Sequence, residues 1–479
     1  MPVNVSASDL VRIGPELLLT VVGAVLMVVE PFTRAKRRLA VVAFLTLLVA
    51  LRLNFAAAHG EAFSGMITVD DFATYFRALV LIVGILTVLI STNYLKQAGH
   101  ETGEFWSLML FSLVGQCLMA SANELVLLFI GLECSSIATY ILAGYLRDDK
   151  RNNEAALKYF LLGSFATAFL LYGVAWIYGI TGSTNLSEIR ISLLGSPDTT
   201  LVTLAIGLMF IGFAFKISAA PFQMWAPDVY QGAPAPVTAF MSAGPKAAAF
   251  AMFLRVFLTA FEPAKQSWEP IVWVSALLTM IVGNFAALRQ SNIKRMLAYS
   301  SIAHAGYVMV AVSAQSDVAT AAAMFYLAAY AFMNIGAFAV VTHIARKDER
   351  YVEIEDLAGL GARQPLTAGL LTLFLLSLIG IPLTGGFFGK FYIFKAALDA
   401  NLIWLTVLGL LNSAVAAYYY LRVIVVMYMK DPRETTENLP PLTPGMLVVL
   451  TGSALATLFL GIFPSTVLDA AGQAARLVR

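Results

Sequence analysis

Residues 200–225 read TLVTLAIGLMFIGFAFKISAAPFQMW, and this stretch decides the class of fold. An uncharged run over 200–215 leads directly to Lys216, and Pro221 follows five residues later. Because a bilayer core about 30 Å thick needs about 20 apolar residues per helix, a run of this kind can cross lipid. The stretch therefore predicts a membrane helix that is interrupted and carries a lysine beside the interruption.

The composition of the whole chain agrees with that prediction. Its 479 residues are 59% hydrophobic and 13% charged, with a mean hydropathy of +0.79. This balance excludes a water-soluble domain and predicts an all-α polytopic membrane protein, in contact with the lipid bilayer. The net charge of +2 favours no charged partner, and no nucleic-acid partner is expected. Cys117 and Cys134 lie apart in apolar runs, so a disulfide or a metal site is not expected.

Fourteen apolar runs are long enough to cross a membrane, and two of them are too long for a single span. At about 1.5 Å per residue the seventh and twelfth runs would reach about 50 Å. Pro221 and Pro227 interrupt the seventh, and Pro382, Gly385 and Gly386 interrupt the twelfth, so both are predicted to be discontinuous helices. The runs lie near 10–31, 38–57, 71–95, 105–121, 123–146, 154–181, 199–231, 236–261, 268–288, 294–314, 318–345, 366–399, 401–429 and 445–467.

The spacing of the two interrupted helices predicts an internal repeat. They lie five helices apart, which suggests two inverted five-helix repeats, helices 4–8 and 9–13, a plan typical of transporters. The chain is predicted to be one membrane domain, 1–479, made of N-terminal helices 1–3 (1–100), a first repeat (105–261), an inverted second repeat (268–429) and a final helix (445–467).

Basic residues are concentrated in the odd-numbered loops, which predicts that these loops are cytoplasmic and that both termini lie outside. The even-numbered loops hold only Arg190 and Lys265. The odd-numbered loops hold Arg34, Lys36, Arg37, Arg38, Lys96, Arg147, Lys150, Arg151, Arg289, Lys294, Arg295, Arg346, Lys347, Arg350, Arg363, Lys430 and Arg433.

Five ionisable residues lie well inside the predicted helices: Glu133, Lys216, Lys246, His304 and Lys390. An ionisable residue near the bilayer centre costs about 2.5–3.5 kcal/mol on insertion scales, so each is a candidate functional residue. A carboxylate favours the charged form of a nearby lysine, so movement of Glu133 relative to Lys216 could switch proton binding there. The set predicts a lateral proton path that ends at Lys390.

Structural explanations compete with this hypothesis. Glu133 and Lys216 could be a structural ion pair that joins two helices, and an isolated histidine is more often a hydrogen-bonded core residue. Arg255 and Lys395 lie nearer helix ends, where a long side chain can extend to the interface, so both are interpreted as structural. The run Tyr418–Tyr420 is compatible with either packing or hydration.

The chain lacks the motifs that bind nucleotides or redox centres. It contains no GxGxxG in a strand context, no GxxxxGK[ST], no cysteine cluster and no HExxH. Moving a proton outward against 150 mV costs about 3.5 kcal/mol. The energy must therefore come from a partner's chemistry or from another ion gradient.

The order of these residues resembles the antiporter-like subunits of respiratory complex I and of Mrp sodium/proton antiporters. The resemblance covers helices 2 to 14 and rests on a glutamate in helix 5, a lysine before the break of helix 7, GPK (244–246) in helix 8, a histidine in helix 10 and a lysine after the break of helix 12. It implies that Glu133 and Lys216 form a switching pair, Lys246 a central relay, His304 a link and Lys390 the terminal site. Some members of the family are expected to carry a glutamate at the position of Lys390, and others have a long lateral helix after helix 14. The chain resembles neither group, because it has Lys390 and ends soon after helix 14.

The resemblance also implies partners. It implies a bacterial inner membrane, an antiporter-like M subunit and small K/J-type subunits as neighbours, and NADH, FMN, iron–sulfur clusters and quinone in partner subunits, with no cofactor in this chain. The alternative is a subunit of an Mrp-type sodium/proton antiporter. Sodium favours several oxygen ligands, and Glu133 is the only clear central carboxylate, which weakens this alternative. A purely structural scaffold is the third possibility.

Overall fold

The protein is described from a computed structural model that covers residues 6–33, 35–195, 199–346, 349–437 and 439–476. Two of the basic loop residues, Arg34 and Lys347, lie outside these ranges. Within them the chain is almost entirely helical, and its two short strands form one antiparallel hairpin, β1 (Gly60–Ala62) and β2 (Ile67–Val69). The prediction of an all-α membrane protein is confirmed.

The helices follow one another with short connections. The first nine are α1 (Ala7–Arg12), α2 (Gly14–Val29), α3 (Arg37–Ala56), α4 (Asp71–Ala98), α5 (Gly103–Ser121), α6 (Leu125–Ala143), α7 (Lys150–Thr181), α8 (Leu186–Leu194) and α9 (Thr199–Ile217). The later ones are α10 (Trp225–Gly232), α11 (Ala235–Arg255), α12 (Lys265–Leu288), α13 (Ile293–Ala314), α14 (Asp317–Ala345), α15 (Leu360–Arg363), α16 (Pro365–Ile379), α17 (Gly385–Asp399), α18 (Ile403–Met429), α19 (Glu434–Glu437), α20 (Pro444–Ile462) and α21 (Pro464–Ala475).

In the described part of the chain, 13 helices are long and apolar enough to span a membrane, and α16 is a shorter apolar helix that is separated from α17 by residues 380–384. Burial separates a central group from the periphery. The spanning segments that contain α11, α13 and α14 are each 94% buried, whereas those of α2 and α7 are 28% and 39% buried. Two of the site residues described below, Lys246 and His304, lie on the central helices α11 and α13.

Neutral side chains satisfy the backbone at the first helix break. Between α9 and α10 the amide of Ala220 donates to Thr279 Oγ1 (2.8 Å), and its carbonyl accepts from Ser275 Oγ (2.6 Å), both on α12. The indole of Trp225 donates to the carbonyl of Phe215 (2.9 Å). Irregular backbone at membrane depth requires such partners, because lipid offers none.

The second break, between α16 and α17, uses a charged side chain. Lys390 Nζ donates to the carbonyl oxygens of Leu378 (2.9 Å) and Ile379 (2.8 Å) at the C-terminus of α16. A cation at this end of a helix is favourable, since the last carbonyls carry partial negative charge. Gly386 at the start of α17 donates its amide to Ser377 Oγ (3.1 Å).

The C-terminal end differs from the predicted final helix, 445–467. Here α20 ends at Ile462, and Pro464 begins the separate helix α21. Proline has no amide hydrogen and its ring clashes with the preceding turn, so it starts a new helix more readily than it continues one.

Candidate functional site

The five predicted residues lie on five different helices. Glu133 is on α6, Lys216 is in the last turn of α9, Lys246 follows Pro245 in the middle of α11, His304 is in the middle of α13, and Lys390 is in α17. The exposed fractions of Lys246, His304 and Lys390 are 3%, 2% and 6%. Three of the five are therefore buried in the protein rather than facing lipid.

Lys216 contacts α6 through hydroxyl groups. Its Nζ donates to Ser136 Oγ (2.6 Å) and to Tyr140 Oη (3.3 Å), and it lies 5.3 Å from the centre of the Tyr140 ring. Ser136 and Tyr140 follow Glu133 by three and seven residues, so all three lie on one face of α6. Lys216 and Glu133, both within the described part of the chain, form no direct ion pair. The structural ion pair considered above is absent from this conformation.

One carboxylate oxygen of Glu133 is buried and has no hydrogen-bond partner among the residues that the structure describes. A buried oxygen of this kind costs about 1–3 kcal/mol, more if the group is charged. An acceptor of this kind is free to take a hydrogen bond from a water molecule or from a donor that moves into reach. Glu133 therefore offers a free acceptor on the helix that carries Ser136, the partner of Lys216.

Lys216 and Lys246 face the same internal cavity. Its volume is about 20 Å³, and its lining includes both lysines together with Ser136, Tyr159 and Tyr230. About 10–15 Å³ is enough to hold one water molecule, provided that polar groups surround it. The cavity therefore offers a polar connection between α9 and α11.

Lys246 leads from this cavity to α13. Its Nζ donates to the carbonyl oxygen of Ser301 (2.8 Å) and to the Ser301 hydroxyl. His304 lies one helical turn beyond Ser301, where Nδ1 shares a hydrogen bond with Tyr326 Oη (2.5 Å) and Nε2 with Tyr420 Oη (3.2 Å). Both nitrogens of the imidazole are thus hydrogen-bonded to phenol groups.

Lys390 is joined to His304 by an aromatic side chain rather than by a direct hydrogen bond. The Tyr307 ring lies edge-on to the His304 ring at 5.6 Å between centres, and Lys390 Nζ lies 4.8 Å from the centre of the Tyr307 ring. Lys390 also donates to Ser413 Oγ on α18 (2.8 Å). None of the five residues, all of them in the described part of the chain, contacts the next one directly: Ser136, Ser301 and Tyr307 lie between three of the successive pairs, and the cavity lies between Lys216 and Lys246.

Several members of this network were not identified from the sequence. Ser136 and Tyr140 could have been found, because they lie at helical spacing from Glu133. Tyr420 belongs to a run whose role the sequence left open, and its hydroxyl also bonds Ser300. Tyr326 and Ser413 gave no signal, since tyrosine and serine are ordinary in membrane helices.

The interpretation of Arg255 as a side chain that extends to the interface is wrong. It is 4% exposed, and Nη2 donates to both carboxylate oxygens of Asp70 (2.8 and 3.0 Å). The guanidinium also lies over the Phe72 ring at 4.8 Å. Asp70 lies 185 residues earlier in the chain, so hydropathy alone could not identify this partner.

The chain is similar to known membrane proteins over almost its whole length. Residues 122–416 match the model of the family described as NADH:quinone oxidoreductase/Mrp antiporter, transmembrane. A relative from Solibacter usitatus (strain Ellin6076) named NADH-quinone oxidoreductase subunit N 1 is 60% identical, covering 99% of both chains. A chain of respiratory complex I from Thermus thermophilus is 36% identical with a TM-score of 0.82, covering 96% of this chain and 99% of that one. A chain of the Mrp complex from Dietzia sp. DQ12-45-1b has a TM-score of 0.85 at 20% identity, covering 98% of this chain and 97% of that one, and so shares the fold.

Proposed function

Because the chain belongs to the NADH:quinone oxidoreductase/Mrp antiporter transmembrane family, we propose that it is subunit N of a bacterial NADH-quinone oxidoreductase. It is a proton-translocating subunit of the membrane arm, moves protons outward, and draws its energy from NADH oxidation and quinone reduction in partner subunits. The fold is shared with the Mrp complex, so it does not distinguish an oxidoreductase subunit from a subunit of a sodium/proton antiporter. The 60% identical relative favours the oxidoreductase.

In this proposal protons pass along the row of buried side chains. Glu133 and Lys216 form the switch, Lys246 is the central relay, His304 is the link and Lys390 is the terminal donor. The observation that carries the proposal is that Lys216 and Lys246 line one cavity while Lys246 also bonds Ser301 on the helix of His304. A scaffold protein has no need for lysines buried without carboxylate partners, because each imposes a desolvation cost.

The partner subunits, their cofactors and the membrane are also part of this proposal. The expected neighbours are an antiporter-like M subunit and small K/J-type subunits. NADH, FMN, iron–sulfur clusters and quinone belong to partner subunits, so the translocase activity is that of the whole complex. The membrane is the bacterial inner membrane, with both termini on the periplasmic side, in keeping with the basic odd-numbered loops.

The test is Lys216→Ala in the native host, with Lys265, the exposed first residue of α12, replaced by alanine as the matched control. NADH:quinone turnover, proton pumping and sodium/proton exchange are measured in the same membrane vesicles. Loss of turnover and pumping in Lys216→Ala alone, with assembly intact, supports the redox-driven path. Unchanged turnover and pumping with loss of sodium/proton exchange supports the antiporter, and no change in any of the three activities supports the scaffold.

A further inference from the structure

A second cavity lies between α3, α4 and α20 and shares no lining residue with the lysine row. Its volume is about 380 Å³, which is within the range of about 300–1,000 Å³ typical of ligand sites. Its lining combines Arg37, Lys96 and Glu101 with apolar side chains of α3 and α4 and with the start of α20.

The rim of this cavity is positively charged. Arg37 begins α3 and Lys96 lies in the last turn of α4; both are exposed, and neither forms an ion pair with another residue in the described ranges. Thr443 caps the N-terminus of α20, where the aligned peptide dipoles of the helix add partial positive charge, although Pro444 supplies no amide hydrogen. All three elements lie beside loops predicted to be cytoplasmic. The rim thus attracts a phosphate-sized anion.

Glu101 adds a negative group to the same cavity. One of its carboxylate oxygens is buried and has no hydrogen-bond partner among the described residues. A simple anion would satisfy Arg37 and Lys96 but would leave this oxygen without a donor. A ligand that carries both a phosphate and an ammonium group would pair with all three side chains.

The inner wall of the cavity is apolar and reaches deep into the membrane. Phe44 lies seven residues beyond Arg37, and Val88 lies eight residues before Lys96, which places the wall about 10–12 Å below the rim. Because one leaflet contributes about 15 Å of hydrocarbon, the wall extends below the level of the headgroups. A soluble ligand would leave this wall uncovered, whereas the acyl chain of a lipid would cover it.

We propose that this cavity binds a phospholipid with a primary-amine headgroup, of the phosphatidylethanolamine type. The phosphate contacts Arg37 and Lys96, the ammonium group donates to Glu101, and an acyl chain lies along Val41, Phe44 and Leu89. Basic pockets between membrane helices on the cytoplasmic side are suited to lipid headgroups. The bound lipid joins α3, α4 and α20 without contacting the lysine row.

The test uses the purified whole complex and a phosphatidylethanolamine that carries a photo-reactive acyl chain. Unlabelled phosphatidylethanolamine, phosphatidylcholine or inorganic phosphate is added as competitor, and cross-linked peptides are mapped. We expect cross-links on α3, α4 and α20, stronger competition by phosphatidylethanolamine than by phosphatidylcholine, and none by inorganic phosphate. Equal competition by the two lipids, displacement by inorganic phosphate, or occupation of the cavity by a partner subunit would overturn the proposal.

Single substitutions test each proposed contact with the lipid headgroup. Each of Arg37→Gln and Lys96→Gln should reduce labelling about fivefold, as expected for one basic residue at a lipid surface. Glu101→Gln should remove the preference for the amine headgroup while labelling continues. Arg38→Gln is the matched control, because Arg38 is exposed on α3 but does not line the cavity. Equal labelling of Arg37→Gln and Arg38→Gln would contradict the assignment. If a variant fails to assemble, the competition experiment still tests the proposal, because it uses the complex without substitutions.

Discussion

Lys216 on α9 is held by Ser136 on α6 through a hydrogen bond of 2.6 Å from Nζ to Oγ. Ser136 lies one turn after Glu133 on the same face of α6, and Glu133 itself makes no ion pair with the lysine. The hydroxyl therefore holds the ammonium group near the carboxylate but not against it. In the proposed switch, a short movement of α6 or α9 brings the two side chains together, and the carboxylate then favours the charged form of the lysine.

Replacement of Ser136 tests whether its hydrogen bond to Lys216 is needed for activity. In Ser136→Ala the ammonium group loses a hydrogen bond worth about 1.5–3 kcal/mol, as is usual for a bond to a charged group. We expect proton pumping and NADH:quinone turnover to fall severalfold in membrane vesicles with normal assembly. Ser136→Thr retains the hydroxyl and should keep most of the activity, and equal activities of the two variants would show that this hydrogen bond is not used.

Lys390 has a structural contact as well as a proposed proton-transfer role, and two substitutions separate them. Lys390→Met removes the donor from the carbonyls of Leu378 and Ile379, so amide exchange around the break at 380–386 should accelerate. Lys390→Arg keeps a donor but does not release its proton at physiological pH. We expect slow exchange in Lys390→Arg with pumping still lost. Normal pumping in Lys390→Arg would exclude proton release from this residue.

The buried pair of Asp70 and Arg255 predicts a strong effect on stability. Asp70→Asn retains a side-chain oxygen for the amide of Ala73 at the start of α4 but leaves Arg255 as an uncompensated buried charge. Breaking a buried pair in this way costs about 3–5 kcal/mol. We expect the amount of assembled complex, measured on native gels, to fall steeply.

The double variant Asp70→Asn/Arg255→Met removes the unpaired charge and should recover much of the assembly, because no uncompensated buried ion remains. No recovery in the double variant would show that Arg255 has a further role.

The second helix break depends on a close approach that only glycine allows. A Cβ at Gly386 would lie 1.9 Å from the carbonyl oxygen of Ser377, a backbone atom that cannot move aside easily. Overpacking of this kind costs about 1–3 kcal/mol or more, so Gly386→Ala should lower the thermal stability and impair pumping. Gly452→Ala on α20 is the control, because a Cβ there would have no neighbour within 4 Å. Equal stability of the two variants, measured by thermal unfolding of the purified complex, would contradict the expectation.

Much of the fold could be predicted from the sequence because it depends on local composition. A run of about 20 apolar residues inserts as a helix wherever it lies in the chain, so the spans could be counted directly. Pro221 and Pro382 marked the two interruptions for an equally local reason, since proline removes a backbone donor. Five ionisable residues in such runs were conspicuous for their cost in lipid. The inverted repeat stays a prediction.

The tertiary structure alone decided which side chains meet. Lys216 bonds a serine 80 residues away, and Arg255 pairs with an aspartate 185 residues away. Hydropathy does not encode such contacts. Lipid is as apolar as the helix surfaces, so the hydrophobic effect does not favour one pairing of helices over another. The rotation and register of each helix are set by close packing of small residues and by hydrogen bonds between helices. Residue types and positions therefore came from the sequence, whereas the connections between them came from packing.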